Sequence, residues 1–133
     1  MRQLILDGIN GRRLVLNRTE PGDEDGVWSY EATLLLPAGS TATPVWDLGD
    51  TLARFLRDLA ESWRGFDSQR SFRSLESQLK LDCHHDGVGT VTCMVSLGSV
   101  APPTWALTAE LDLGAGAHLD EIANQAERFC ADR

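Results

Sequence analysis

The sequence predicts an α+β fold, with an antiparallel β-sheet of about six strands and two α-helices packed on one face. Two observations carry this expectation. Several stretches alternate apolar and polar residues, as strands with one buried face do. Two other stretches repeat apolar residues every three or four positions, as helices with one buried stripe do. Their order along the chain is strands, helix, three strands, helix.

The first apolar runs, "QLILD" (3–7) and "RRLVLN" (12–17), flank "GING". Asn10-Gly11 supplies the positive φ that a tight hairpin turn requires. A polar loop (18–26) leads into "VWSYEATLLLP" (27–37), where Trp28, Tyr30, Ala32, Leu34 and Leu36 share a face. "STATPVWD" (40–47) reads as a short strand, and Pro44, which has no N–H, confines it to an edge. The spacing of Leu48, Leu52, Phe55, Leu56, Leu59 and Trp63 predicts a helix over 47–66. Asp47 or Asp50 would cap it and Gly65 would end it. Arg54–Asp58 and Arg57–Glu61 fall four apart on its wet face, worth about 0.3 kcal/mol each. Three strands are expected next, at 74–84, 90–98 and 104–113, followed by a helix over 117–131 with Leu119, Ile122, Ala123, Ala126, Phe129 and Cys130 inward. No internal repeat is legible.

A chain of 133 residues is expected to form one domain, residues 1–133, with a core that needs no staples. A net charge of −8 suits a basic protein partner and does not suit a phosphate backbone. No apolar run is long enough for a membrane helix, and the first residues lack a signal peptide's apolar region. With three cysteines, an odd count, the expected compartment is the cytoplasm.

The densest chemistry is "LDCHHDGVGTVTC" (81–93). It allows a metal site, a disulfide hairpin or a plain turn. Alternation turns Cys83 and Cys93 inward and splits His84 from His85, so the four side chains should not converge on a metal. The reading therefore favours two buried thiols under an exposed tip. Parity sharpens this, because matching the apolar faces of the two strands requires a loop of odd length with a glycine bulge. In one such register Cys83 stands opposite Cys93. "LDLGAGAHL" (111–119) imitates a dinucleotide-binding turn, but the third small residue is missing and no parallel strand follows. "EPGDEDG" (20–26) lacks calcium-loop spacing and reads as a mobile connector or as bait for a cationic partner. Trp28, Trp63 and Trp105 are expected in the core, and Trp46, beside Pro44 on an edge, as an interface anchor. Arg64, Arg70 and Arg73 form a basic linker whose ordinary role is surface ion pairing. No catalytic motif is present, so no catalytic residue, cofactor or metal ligand is assigned.

The stretches "VWSYEATLLL", "LARFLRDLAESWRGF", "SLESQLKLDCHHDGVGTVTCMVSL" and "TWALTAELDLGAGAHLDEIANQAERF" resemble a family of small uncharacterised actinobacterial proteins, over roughly residues 27–129. The same order is distantly similar to cytoplasmic immunity proteins that bind and neutralise the contact-dependent toxin called wall-associated protein A. That resemblance implies a non-catalytic protein-binding module whose partner is a toxin. The contact residues expected from the sequence are Glu20, Asp23, Glu24, Asp25, Trp46, His84 and Asp86. The alternatives are a structural or regulatory subunit, and, more remotely, an enzyme using the His84/His85 hairpin. Oligomeric state is left open.

Overall fold

In the computed structural model, which describes residues 2–18, 20, 22–99 and 104–131, the chain builds two antiparallel sheets rather than one. Sheet A is a meander of β1 (Arg2–Asp7), β2 (Arg13–Arg18), β3 (Val27–Leu36) and β4 (Gly39–Leu48), followed by α1 (Thr51–Glu61). Sheet B is a meander of β5 (Arg70–Arg73), β6 (Leu79–His85), β7 (Thr90–Gly98) and β8 (Ala106–Gly114), followed by α2 (Ala117–Cys130). The expectation of one sheet of about six strands is corrected to two four-stranded sheets. The strand missed entirely is β5, a run of four residues too short to show alternation. Its turn into β6 places Ser77 at φ 62 and Leu75 in solvent, so the strand expected over 74–84 is in fact a turn followed by β6.

The architecture is a duplicated ββββα path, although the residues filling it differ. In each half two residues separate the end of the fourth strand from the start of the helix. The halves also hold each other reciprocally. The tip of the β1–β2 hairpin reaches the outer strand of sheet B, where Ile9 N donates to Asp112 O at 2.8 Å. The β5–β6 turn reaches the outer strand of sheet A, where Leu75 N donates to Trp46 O at 3.0 Å. Both contacts satisfy backbone groups on an edge strand that would otherwise invite foreign pairing. The same reciprocity governs the helix ends. Arg18, closing β2, donates from Nη1 to Phe129 O near the end of α2 at 3.0 Å. His85, closing β6, bonds through Nε2 to Trp63 O just past α1 at 2.9 Å. In each case a side chain of one half satisfies a carbonyl that a helix end leaves without an intrahelical donor.

One buried cluster draws on both sheets and both helices. Its largest fully buried side chains include Leu4, Leu14, Leu34, Leu56, Leu81, Leu97 and Phe129. Alternation places them as expected: Trp28, Tyr30, Ala32 and Leu34 face inward on β3, and Val91, Cys93, Val95 and Leu97 on β7. β4 lies at the edge of sheet A, as Pro44 requires. The first helix is shorter than its apolar spacing suggested. Asp47 and Leu48 belong to β4, Asp50 takes the N-cap position without a side-chain cap bond, and Ser62 rather than Gly65 takes the C-cap position. The ion pairs expected within that helix are also replaced. Arg54 pairs with Asp50, Asp58 with Arg70, and Arg57 with Asp120 and Glu127 of α2. Arg54 keeps a local i,i+4 pair with a different partner, whereas Arg57 and Asp58 are drawn to α2 and β5, the elements packed beside α1. Two tryptophans expected in the core are outside it: Trp63 follows the end of α1 and Trp105 precedes β8, and both are partly exposed.

Candidate functional site

The outer face of sheet A is the surface on which sequence-derived candidates converge. The helices cover the inner face, and strand alternation sends the opposite set of side chains outward. On β3 and β4 these are Ser29, Glu31, Thr33 and Leu35, with Ala42, Pro44, Trp46 and Leu48. Trp46 is 39% exposed and Leu48 44%. The register sets Trp46 across from Ser29, Pro44 across from Glu31, and Leu48 across from Val27. Val27 is the residue at which the acidic loop enters β3, so the loop sits at the Trp46 end of the strand. Its last residue, Gly26, accepts a bond from Gly49 N at 2.9 Å.

The acidic loop is built rather than merely tethered. Asp23 Oδ1 accepts the N–H groups of Asp25 and Val27 at 2.9 and 3.0 Å, a side-chain turn of the kind aspartate favours. Glu24 and Asp25 stay exposed. Glu20 contributes its carbonyl to Arg18 Nε at 3.0 Å, which leaves its carboxylate side chain in solvent. The register thus places Val27, where the acidic loop enters β3, two residues from Ser29, the cross-strand partner of Trp46.

His84 and Asp86 lie elsewhere. They are at the far end of β6 from the Leu75–Trp46 contact, about 20 Å away along a seven-residue strand at ~3.3 Å per residue. His84 is exposed opposite Thr92. Asp86 shapes the tip: its Oδ1 accepts Val88 N at 2.7 Å and Thr90 N at 3.0 Å, and these bonds hold its carboxyl below the ordinary range. Asp86 N bonds Thr90 O around residues 87–89, with Gly87 and Gly89 at positive φ. This is the odd, glycine-bulged loop that parity required. His85 is spent on structure. Its Nδ1 accepts Gly87 N at 2.8 Å, which leaves Nε2 to donate to Trp63 O, and Phe66 packs edge-on at 5.6 Å. Cys83 and Cys93 stand opposite one another and form a disulfide, where the sequence favoured free thiols. Their Cα atoms are 4.0 Å apart. The sulfurs are therefore engaged with each other beneath the sheet.

Sequence reasoning missed the buried polar groups under the Trp46 strand. Asp47, assigned to a helix start, points inward from β4 and accepts the Tyr30 hydroxyl at 2.5 Å. Burial raises its carboxyl to about 6 against the opposing pull of that bond, and burial followed by Asp47 raises Tyr30. Arg18 stacks over Trp28 at 4.1 Å and is 2% exposed. The signal was present in parity: Leu14, Leu16 and Arg18 alternate together, as do Thr43, Val45 and Asp47. Cys130, a free thiol, lines an interhelical cleft of about 460 Å³, and burial pushes it up to about 11. Arg57 crosses that cleft. It bonds Glu127 and Asp120 at 2.8 Å each and Asn124 at 2.6 Å; Glu127 in turn is held below its ordinary range by Arg57. The cleft's central cation is thus consumed in joining the helices.

No helix of the described residues is long and apolar enough to cross a membrane. No curated protein matches the chain. A family model does match, over residues 36–133, from late β3 to the last residue. The chain belongs to that family, the family of unknown function DUF6228.

Proposed function

We propose that this chain is a non-catalytic protein-binding module, an immunity-type protein that binds a basic toxin domain and neutralises it. The observation that carries the reading is the union of a built acidic loop with an exposed Trp46–Leu48 strip at one end of sheet A. Aromatic anchors supply binding energy at interface centres, while a charged rim steers the encounter and selects the partner's sign. The outer face of sheet B carries Lys80, Asp82, Ser96, Thr108 and Glu110, with Met94 exposed between Asp82 and Glu110, and its strands hold no tryptophan. Among the sequence-derived contacts, Asp23, Glu24, Asp25 and Trp46 form this site, with Glu20 at its approach. His84 and Asp86 belong to a separate surface.

Co-expression with a toxin domain encoded beside this chain tests the proposal. Protection of the host together with a co-purifying complex is the expected result. Normal toxicity with no complex would dismiss it, and a complex with a housekeeping assembly in its place would favour a structural or regulatory subunit. The proposed compartment is the cytoplasm, yet the Cys83–Cys93 disulfide suits an oxidising one better. Alkylation of the protein in freshly lysed cells separates the two.

A further inference from the structure

The reciprocal contact between the halves is complete on one side only. On β8, Asp112 O takes Ile9 N, and two residues earlier Glu110 O takes both Asn10 Nδ2 at 3.1 Å and Arg12 Nη1 at 3.2 Å. On β4, Trp46 O takes Leu75 N in the same way, and two residues earlier stands Pro44 O. Its bond is the hydroxyl of the adjacent Thr43, at 3.5 Å. The donors that served Glu110 have no counterpart on the β5–β6 turn. Glu76 follows Leu75 as Asn10 follows Ile9, and a carboxylate cannot donate. Gln78 holds Arg12's place three residues on, but it is buried, with Oε1 accepting Ser74 Oγ at 3.3 Å.

The cross-strand, turn and same-strand neighbours of Pro44 include two carboxylates and an indole. Glu31 is its cross-strand partner, exposed on the same face. Cross-strand Cβ atoms lie about 5 Å apart, within reach of one planar cation. Glu76 projects from the adjoining turn, and Trp46 supplies an exposed indole two positions along the strand. Neither Glu31 nor Glu76 has a cationic partner among the described residues. Arg73 and Lys80, at the base of that turn, stand opposite one another across β5 and β6, two like charges with no ion pair to either glutamate among the described residues. We infer that the Pro44 edge of β4, flanked by Glu31, Glu76 and Trp46, receives an arginine side chain of a protein partner, as Glu110 O receives Arg12 within the chain. Arginine suits it better than lysine, because a planar fork can donate to a carbonyl and a carboxylate at once and stack on an indole. The inference rests on the basic-partner reading above and names the residue that such a partner would present.

Titration of the full chain with capped hexa-arginine and hexa-lysine peptides tests it, followed through the Trp46 indole N–H and the backbone amides of 28–48 and 74–78. The arginine peptide should bind at least about 10-fold more tightly and shift the Trp46, Leu75 and Glu76 signals. Glu31→Gln and Glu76→Gln, both at exposed positions, should each weaken that peptide about 3- to 10-fold with less effect on the lysine peptide. Neutralising Asp23, Glu24 and Asp25 together should weaken both peptides alike. Equal affinities, with shifts confined to the loop, would overturn the arginine site and leave the basic-partner reading standing. Binding of neither peptide would overturn both.

Discussion

The two ββββα halves place different residues at matching points of one path. Where β2 and β3 pair Leu16 with Ala32, β6 and β7 pair Cys83 with Cys93. Where β2 ends in a buried arginine, β6 ends in a histidine, and each bonds a carbonyl near a helix end. Where β8 carries Leu111 and Leu113 inward, β4 carries Val45 and Asp47. Outward, β8 offers Glu110 and Asp112, whereas β4 offers Pro44 and Trp46. The second half is the more closed one: its hairpin is stapled, and the Glu110 and Asp112 carbonyls on its β8 edge are both bonded from the first half. The first half holds Arg18 and Asp47 in its core, whereas both halves leave large apolar side chains exposed, Trp46 and Leu48 in the first and Val88 and Met94 in the second.

The largest expected effect concerns the two helix-end bonds. Arg18→Ala strips donors from Phe129 O, Ala131 O and Glu20 O and removes the stack on Trp28. It should cost about 3–4 kcal/mol in urea unfolding, the cost of stranding buried acceptors. His85→Ala, which deprives one helix-end carbonyl of its donor rather than three carbonyls, should cost about 1–2 kcal/mol. Equal costs would mean that the halves are equivalent in this respect.

The next effect belongs to Asp47. Its folded carboxyl is raised to about 6 from 3.8, so the stabilising form is the protonated one. That contribution is fully present below pH about 4 and lost as pH rises through about 6. A shift of this size corresponds to about 3 kcal/mol. Asp47→Asn should therefore stabilise the protein by up to that amount at pH 8 and by little at pH 4. A variant that is destabilised at both pH values would show that the ionised carboxylate is favoured through Tyr30.

The staple should matter slightly less. Closing a loop of this length restricts the unfolded chain by about 2–3 kcal/mol, and reduction, or Cys83→Ala with Cys93→Ala, should lower stability by that amount. The smallest effect should be at the proposed site. Trp46→Ala, or neutralisation of Asp23, Glu24 and Asp25, should change unfolding free energy by under about 1 kcal/mol, as exposed positions do. A loss several times larger for Trp46 would recast it as a structural residue holding the β4 edge.

Alternation made most of the strands legible, because one face of each is buried and the other wet. β3, β7 and the parity of the 86–90 tip could be read that way, and α2 from its three- and four-residue apolar spacing. The division into two sheets could not. Alternation tells which face of a strand is buried but not which strands it pairs with, and the edge bonds of Ile9 and Leu75 that join the two sheets link residues far apart in sequence. β5 was hidden by its length. The stripe assigned to α1 ran into β4 because Leu48 suits a helix stripe and an outward strand position equally well. For the site, Trp46 and the acidic loop were visible as exceptions to local pattern. Their proximity was not, since it rests on the β3–β4 register. The disulfide was visible as one register among several, and only the pairing of Cys83 with Cys93 selects it.

The measurement that tests the central claim most directly is calorimetric titration of a toxin domain encoded beside this chain into the wild type, Trp46→Ala and His84→Ala proteins. The account predicts an affinity loss of about 30-fold or more for Trp46→Ala, the signature of an interface anchor, and an unchanged affinity for His84→Ala. Unchanged binding by Trp46→Ala with a loss at His84 would contradict it, and would move the docking surface from sheet A to the tip of the stapled hairpin.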